Sequence, residues 1–293
     1  MDSLPNASNK CRICAAQKLR SLFIINGYEV FRCPLCSYVQ ISRKPTASEL
    51  SFIYGTGYFV SNKYSDISIL EKENLRRLKL LKRFMPRGNA KVLDAGCATG
   101  DFLTTAKREF RMYGCDISEY AVSEARRRNP ELAARIGLTD LDRNEIPSER
   151  FDAICLWDVI EHLWDPVTIC RLLGNQLKTG GFLFVSTPDI GGTLAKLMGR
   201  RWAFMTPPEH MGFFSKKSIF KLFGEILPFR FEYQKSSGKW TNFGFLLYKL
   251  HRVFPEIVSE SCVSLVQKKR ISRMPLYVPT RDIQYIVVRK VRD

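Results

Sequence analysis

The chain has 293 residues, of which 45% are hydrophobic, enough for one domain of ordinary size and a small accessory module. It has no run of 18 apolar residues, which argues against a membrane-spanning helix. The net charge of +17 is uneven: residues 1–85 have 14 basic residues against 6 acidic ones, residues 86–190 have 13 against 16, and residues 191–293 have 19 against 7. Basic flanks around a nearly neutral centre indicate an anionic partner or surface, or only solvated side chains.

Two close cysteine pairs lie near the start of the chain, Cys11 with Cys14 and Cys33 with Cys36. The C-x2-C-x18-C-x2-C spacing is typical of a structural zinc site with four thiolate ligands. Two disulfides, or four unrelated buried thiols, are the alternatives. The first ten residues lack the apolar segment of a signal peptide, so we expect a cytoplasmic chain with reduced cysteines. The other cysteines are expected to be small core residues: Cys97, Cys115, Cys155, Cys170 and Cys262.

Apolar periodicity and turn residues predict the elements in chain order. Residues 8–42 are predicted to form short β-hairpins around the cysteine pairs, with a boundary at 44–50. Apolar residues at helical spacing predict a helix at 69–85. Strands and helices then alternate, with strands at 91–96, 111–116, 150–157 and 180–188 and helices at 101–110, 118–129 and 165–177. This alternation indicates an α/β fold with a parallel, doubly wound sheet.

A turn bounded by glycines, VLDAGCATGDF at 92–102, joins a buried strand to a helix. At such a turn the bare backbone can approach a ligand, and the helix offers N–H groups to it. Asp116 ends the next strand, where an acid can accept hydrogen bonds from both ribose hydroxyls of a nucleoside. The turn does not match a dinucleotide fingerprint, because Ala98 and Asp101 stand where G-x-G-x-x-G has its second and third glycines.

Four segments in order resemble class I S-adenosylmethionine-dependent methyltransferases: VLDAGCATG, GCDIS, RFDAICLWDVIEHLWDP and GGFLFVSTP. The resemblance covers about residues 70–235 and includes the small-molecule branch with ubiquinone O-methyltransferases and enzymes that act on sugars and glycans. It implies a Rossmann-like, doubly wound sheet of seven strands. The cysteine pairs followed by YGTGYF also resemble the N-terminal zinc modules of bacterial sugar methyltransferases in that branch.

The domains expected from these patterns are a zinc-ribbon-like β module at 1–45, a helical linker at 46–85 and a methyltransferase domain at 86–293. The methyltransferase domain is expected to have insertions at about 190–212 and 240–280.

The resemblance also implies which residues hold S-adenosylmethionine: Asp94, Gly96, Cys97, Gly100, Asp116, Ile117, Asp140, Leu141 and Trp157. Asp94 and the turn would hold the methionine part, Asp116 the ribose and Asp140 the adenine amino group. Alternatively, Asp116 is a helix N-cap and Asp140 a plain turn residue. Ala98 departs from the family, many members of which have a third glycine there.

The candidate catalytic residues are His210, His162 and Asp158. His210 lies after the fifth strand of the methyltransferase sheet, where acceptors are expected to enter, and is predicted to take the proton of an acceptor hydroxyl. Three roles stay open for His162. It can be a second base, it can cap the next helix together with Glu161, or it can bind a divalent metal with Asp158 and Glu161, as the resemblance to ubiquinone O-methyltransferases implies. Asp158 would face the reacting methyl group. His251 is expected to be incidental.

Two basic-aromatic segments, 192–208 and 239–254, are predicted insertions. They can lie at an anionic membrane interface, cover an acceptor pocket, pack as a helical cap or bind a diphosphate. The resemblance also implies a small-molecule acceptor, such as a sugar, a glycan or a lipid-linked or nucleotide-linked intermediate. We expect a chain that is cytoplasmic or peripheral to the inner face of the membrane.

Two other functions are compatible with part of the sequence. An RNA methyltransferase would use the zinc module and the basic flanks to bind nucleic acid. LWDVIEH, however, is not the N/D-P-P-Y segment of enzymes that methylate amino groups of nucleic acids. A non-catalytic zinc-bearing scaffold is disfavoured, because the acids Asp94, Asp116 and Asp140 are all present.

Overall fold

A computed structural model describes residues 10–53, 67–86, 88–141, 149–253 and 256–291. The YGTGYF segment, on which part of the resemblance rests, lies outside the described residues. Two β-sheets form within them, one of seven strands and one of four. None of the helices in the described ranges is both long and apolar enough to cross a membrane.

The larger sheet is the predicted α/β sheet. Its strands are β4 (Lys91–Ala95), β5 (Arg111–Asp116), β6 (Ile136–Leu138), β7 (Phe151–Trp157), β8 (Leu177–Pro188), β10 (Phe229–Asn242) and β11 (Pro275–Lys290). Their order is β10-β11-β8-β7-β4-β5-β6; β4 to β8 are parallel, and β10 and β11 are antiparallel. The predicted Rossmann-like, doubly wound sheet of seven strands is confirmed. Its topological switch point, where ligands of open α/β sheets bind, lies between β4 and β7.

Nine α-helices form within the described residues, and the four that were predicted begin within two residues of the expected positions. They are α1 (Ala47–Ile53), α2 (Ile67–Phe84), α3 (Asp101–Ala106), α4 (Glu119–Arg128), α5 (Pro166–Gln176), α6 (Thr193–Met198), α7 (Lys216–Phe220), α8 (Phe243–Val253) and α9 (Glu260–Gln267). Side-chain caps explain several of the starts: Ser118 accepts from the N–H of Ala121 at α4, and Asp165 accepts from that of Thr168 at α5.

The core lies between the larger sheet and its helices. Cys97, Cys115, Cys155 and Cys170 are buried, as predicted, but the prediction was wrong for Cys262, which is exposed. Cys262 lies on α9, a helix whose buried residue is its neighbour Val263. An apolar run on a short surface helix buries one face only, so composition alone does not tell which positions are inside.

The smaller sheet is antiparallel and combines distant parts of the chain. It consists of β1 (Arg20–Ile25), β2 (Tyr28–Arg32), β3 (Val39–Ile41) and β9 (Gly212–Phe213), in that order. Gly212 of β9 packs closely against Tyr38, whose hydroxyl would overlap a Cβ at position 212. The cysteine module, which we define as the cysteine pairs with strands β1 to β3, therefore packs against the segment that contains His210.

Candidate functional site

A cavity of about 310 Å³ opens at the carboxyl ends of the central strands. Its lining includes most of the predicted site residues: Asp94, Gly96, Cys97, Asp116, Ile117, Asp140, Leu141, Trp157, Asp158, His162 and His210. Gly100 does not line it. The φ of Gly100 is +81°, and a Cβ there would lie 2.9 Å from Nδ2 of Asn129, so Gly100 permits the close packing of α3 against the end of α4.

The turn after β4 is shaped by its backbone. Gly96 has a φ of +84°, and a Cβ there would lie 2.5 Å from Cγ2 of Val159, which follows β7. Ala98 also has a positive φ, of 46°, and its N–H donates to Oδ2 of Asp116 at 2.9 Å. The methyl group at Ala98 is therefore accommodated, and the turn is linked directly to the acid that ends β5.

Asp94 ends up deep in the cavity wall, with 2% of its surface exposed. Among the described residues, its Oδ1 has no hydrogen-bond partner. Burial raises the pKa of Asp94 to about 7, against the lowering effect of nearby Arg77. A buried carboxylate oxygen without a donor is costly, and a cationic donor bound in the cavity would offset that cost.

Asp116 is held by the backbone around it. Its Oδ2 accepts from the N–H of Ala98, and its Oδ1 accepts from the N–H of Ser118 at 3.0 Å. Burial raises its pKa above the ordinary range. The N-cap of α4 is Ser118, so Asp116 does not serve as a helix cap. Each carboxylate oxygen can accept a second hydrogen bond, which leaves capacity for two hydroxyl groups. Ile117 beside it is 50% exposed and also lines the cavity.

Two histidines meet on the other side of the cavity. The ring centroids of His162 and His210 lie 4.8 Å apart, with the planes at 82°. Nδ1 of His162 lies 2.8 Å from the carbonyl oxygen of Glu209, and Nδ1 of His210 lies 2.8 Å from that of Phe204. A carbonyl oxygen only accepts, so in both rings Nδ1 bears the hydrogen, and in the neutral rings Nε2 has the lone pair.

The possible metal ligands are grouped differently from the prediction. Candidate ligand atoms of Glu161, His162 and His210 all lie within 4.8 Å of one another. Asp158, which was predicted to join Glu161 and His162, pairs with Nη2 of Arg77 at 2.6 Å and accepts from Oγ of Ser186 at 2.8 Å. The alternative that Glu161 and His162 cap the next helix is also wrong, because the N-cap of α5 is Asp165.

Sequence reasoning missed Arg77 as a site residue. It lies on α2, in the predicted linker, and its guanidinium carbon is 5.5 Å from the centre of the Trp157 ring. It lines the cavity together with Asn74 and Glu73 of the same helix. Basic residues of an amphipathic helix usually form its solvated face, and no local signal distinguished Arg77 from its neighbours.

The basic-aromatic segments cover the cavity. Trp202 and Met205 are buried in a cluster with Val30 and Val39 of the small sheet, and Phe204 lines the cavity. Lys239 and Trp240 line it from β10. Arg200 and Arg201 form a 3-10 turn with Gly199, and both are exposed.

The four N-terminal cysteines converge on one point. Sγ of Cys11 lies 3.5 Å from that of Cys36, Sγ of Cys14 lies 3.5 Å from that of Cys33, and the four sulfurs lie within 4.8 Å of one another. A tetrahedral zinc site with Zn–S bonds of about 2.3 Å has sulfurs about 3.8 Å apart. The sulfurs are too far apart for disulfides, whose bond is about 2.05 Å, and too close together to be unrelated thiols.

Comparison with known proteins identifies relatives over the central part of the chain. A ubiquinone biosynthesis O-methyltransferase of Hydrogenovibrio crunogenus is 26% identical over 126 residues, which are 42% of this chain and 52% of the relative. A probable S-adenosylmethionine-dependent methyltransferase of Mycobacterium tuberculosis is 32% identical over 118 residues, 39% of this chain and 42% of the relative. The chain thus spans about half the length of the curated relatives it matches, or less.

Solved structures share the fold at low identity. A putative methyltransferase from Bacillus halodurans C-125 has a TM-score of 0.52 at 14% identity, over 75% of this chain and 100% of its own. Magnesium protoporphyrin IX methyltransferase from Synechocystis PCC 6803, solved with bound S-adenosylmethionine, has a TM-score of 0.51 at 16% identity, over 82% of this chain and 94% of its own. A family model described as a methyltransferase domain matches residues 69–226, more than half of the chain, and the chain therefore belongs to that family.

Proposed function

We propose that the chain is an S-adenosylmethionine-dependent methyltransferase for a small-molecule acceptor. The observation that carries this proposal is one cavity that is lined both by the acids Asp94, Asp116 and Asp140 and by His162 and His210. The acids would hold the cofactor, as the resemblance to class I methyltransferases implies, and the histidines would take a proton from an acceptor.

The cofactor supplies a methyl group on a sulfonium, which an acceptor oxygen, nitrogen or carbon can attack. On the protein side, Asp94 would receive the ammonium of the methionine part, since its Oδ1 is buried and has no donor among the described residues. Asp116 would accept from the ribose hydroxyls, and Ile117 would cover the adenine. Holding two reactants in line contributes roughly 7–11 kcal/mol to such a transfer.

For a hydroxyl acceptor, we propose that His210 takes the proton on Nε2. Its Nδ1 hydrogen is held by the Phe204 carbonyl, which orients the ring, and His162 lies edge to face against it. A positioned base contributes about 10²–10⁴-fold to the rate. Aromatic rings of Trp157, Phe204 and Trp240 line the same cavity, and such surfaces suit the apolar faces of a sugar ring. A sugar, a glycan or a lipid-linked or nucleotide-linked intermediate therefore fits the site.

A divalent metal is the second use that the same residues support. Glu161, His162 and His210 offer one ligand atom each, and both histidines bind a carbonyl through Nδ1, as metal-bound imidazoles commonly do. The metal would then bind an acceptor oxygen in place of a protein base. Calorimetry with Mg²⁺, Mn²⁺ and Zn²⁺ on the unmodified protein and on Glu161→Gln, both with the four N-terminal cysteines intact, distinguishes a bound metal from a protein base. Binding to the unmodified protein that is lost in Glu161→Gln supports the metal.

The cofactor is tested by calorimetry with S-adenosylmethionine. We expect Asp116→Ala to weaken binding by about 10- to 100-fold, because charge-assisted hydrogen bonds contribute about 1.5–3 kcal/mol. Glu119→Ala is the matched control, since Glu119 is an exposed acid on the adjacent helix that does not line the cavity. Absence of binding to the unmodified protein, or equal affinity of all three proteins, would contradict the proposal.

A further inference from the structure

A second cavity, of about 490 Å³, lies outside the site described above and is strongly cationic. Its basic side chains come from both sheets and from the helices between them: Arg32, Lys196, Lys216, Lys217 and Arg281. Among the described residues, none of these five forms an ion pair within 4 Å, although Lys196 and Lys216 lie near enough to Asp189 to affect its pKa. Their charges are thus concentrated around one concave space.

One acid, Asp189, also lines this cavity, but both oxygens of its carboxylate already accept hydrogen bonds from neighbouring residues. Its Oδ1 accepts from the N–H of Gly191 at 2.9 Å, and its Oδ2 accepts from Oγ of Ser236 at 3.5 Å. The side chain is 3% exposed, and burial raises its pKa. The lining of the cavity therefore has five positive charges and at most one negative charge, that of Asp189.

The cysteine module forms part of this cavity. Arg32 and Ser37 directly flank the Cys33–Cys36 turn, and both line the cavity. Ser37 has a φ of 62°, and its N–H donates to the carbonyl of Cys33 at 3.0 Å. A metal bound by the cysteines would hold this turn, and with it Arg32 and Ser37, in place.

The two cavities are separate. Pro188 lines the first and Asp189 the second, and successive residues at a strand end point to opposite faces of a sheet. The second cavity therefore lies across the end of β8 from the methyl-transfer site. It does not take part in holding the cofactor.

We infer that this second cavity binds a diphosphate group. A diphosphate has at least two negative charges near neutral pH and more acceptor oxygens than a single phosphate, so it matches several cations better than a single phosphate does. A concave space lined by five separate chain segments suits a small anion, whereas RNA or a membrane surface needs a broad exposed face. The inference does not depend on the proposed methyl transfer.

The test is calorimetry with inorganic pyrophosphate on the full chain with its metal. We expect Lys216→Ala with Lys217→Ala to weaken pyrophosphate binding about tenfold, because both lysines are exposed and each exposed charge contributes at most about 1 kcal/mol. Lys268→Ala with Lys269→Ala is the matched control. It removes the same charge from exposed positions outside both cavities, so affinity should change by less than about twofold. Affinity for S-adenosylmethionine should stay the same in both variants, which verifies folding.

Two further ligands identify the source of the diphosphate. Tighter binding of uridine diphosphate than of pyrophosphate indicates a nucleotide-linked ligand, and tighter binding of farnesyl diphosphate indicates a lipid-linked one. The inference is overturned if pyrophosphate does not bind, if both lysine pairs weaken it equally, or if only an RNA oligonucleotide or anionic vesicles bind. Loss of pyrophosphate binding with retained S-adenosylmethionine binding would remove this site and leave the proposed function intact.

Discussion

The two sides of the methyl-transfer cavity reach their positions by different routes. On the cofactor side, Asp94 is the penultimate residue of β4, Asp116 ends the adjacent parallel strand β5, and Asp140 follows the next strand in the sheet. Because carboxyl ends of parallel strands share one edge, the sheet alone brings these acids together. On the acceptor side, His162 follows β7, whereas His210 comes from a long segment that joins the two sheets.

The acceptor side also depends on the small sheet. The N–H of Ile41 donates to the carbonyl of Met211 at 3.2 Å, and the N–H of Met211 donates to that of Glu161 at 2.9 Å. The guanidinium of Arg12, next to the first cysteine, donates to the carbonyls of Met211 and Trp164. The two sides should therefore respond differently to mutation. Unfolding of the cysteine module should displace the histidines but leave the positions of the acids unchanged.

The largest effect that tests this difference is expected for Cys33→Ser with Cys36→Ser. Structural zinc sites contribute about 10–16 kcal/mol of binding free energy, so removing two ligands should release the metal and disorder the small sheet. We expect turnover to be lost while S-adenosylmethionine affinity changes by less than about threefold, since the cofactor acids belong to the other sheet. Elemental analysis, thermal unfolding and calorimetry measure these three quantities.

Cys262→Ser is the control for that experiment, because Cys262 is exposed and distant in sequence from the four clustered sulfurs. It should leave metal content, unfolding temperature and turnover unchanged. If the paired substitution weakens cofactor binding as strongly as it lowers turnover, the two sides of the cavity are one cooperative unit. If the variant keeps its metal, the four cysteines do not form the site.

A smaller and more local effect is expected for His210→Ala. If Nε2 of His210 takes the acceptor proton, turnover should fall by about 10²–10⁴-fold while S-adenosylmethionine still binds, because a base acts in the transition state. His251→Ala is the matched control, since His251 also donates from Nδ1 to a carbonyl, that of Val258, but does not line the cavity. A large loss in His162→Ala with little change in His210→Ala would assign the base to His162.

The same division explains which features were predictable. The central strands were predicted because they are apolar runs that alternate with helices, as at RMYGCD, which is followed by a helix with its N-cap at Ser118. Asp94 and Asp116 were predicted because strand ends place them at the ligand edge whatever the rest of the chain does. Local pattern and global fold agree on the cofactor side.

The acceptor side depends on contacts that no local pattern encodes. β9 has two residues, and pairing with β3 defines it rather than any apolar periodicity. Arg77 is stabilised in the cavity by Asp158, from a distant part of the chain, although its own helix suggests a solvated position. Asp158 was therefore assigned to a metal group with Glu161 and His162, whereas the structure pairs it with Arg77 and brings His210 to that group instead.

The smallest effect concerns Asp94 alone and is confined to the cofactor side. Burial raises its pKa to about 7 in the folded protein, above the value of about 3.9 for an unfolded aspartate. The group therefore contributes stability that is fully present below the unfolded pKa and lost as pH rises through about 7, so the ligand-free protein should become less stable over that range. Binding of the cofactor ammonium needs the ionised carboxylate, so affinity should change in the opposite direction, rising up to about tenfold per pH unit until pH 7.

Calorimetry between pH 5.5 and 8.5, in two buffers of different ionisation enthalpy, measures affinity and the proton released on binding. Asp94→Asn should abolish both the pH dependence and the proton release, whereas His210→Ala should leave both unchanged. An affinity that is flat across this range in the unmodified protein would show that Asp94 does not receive the ammonium.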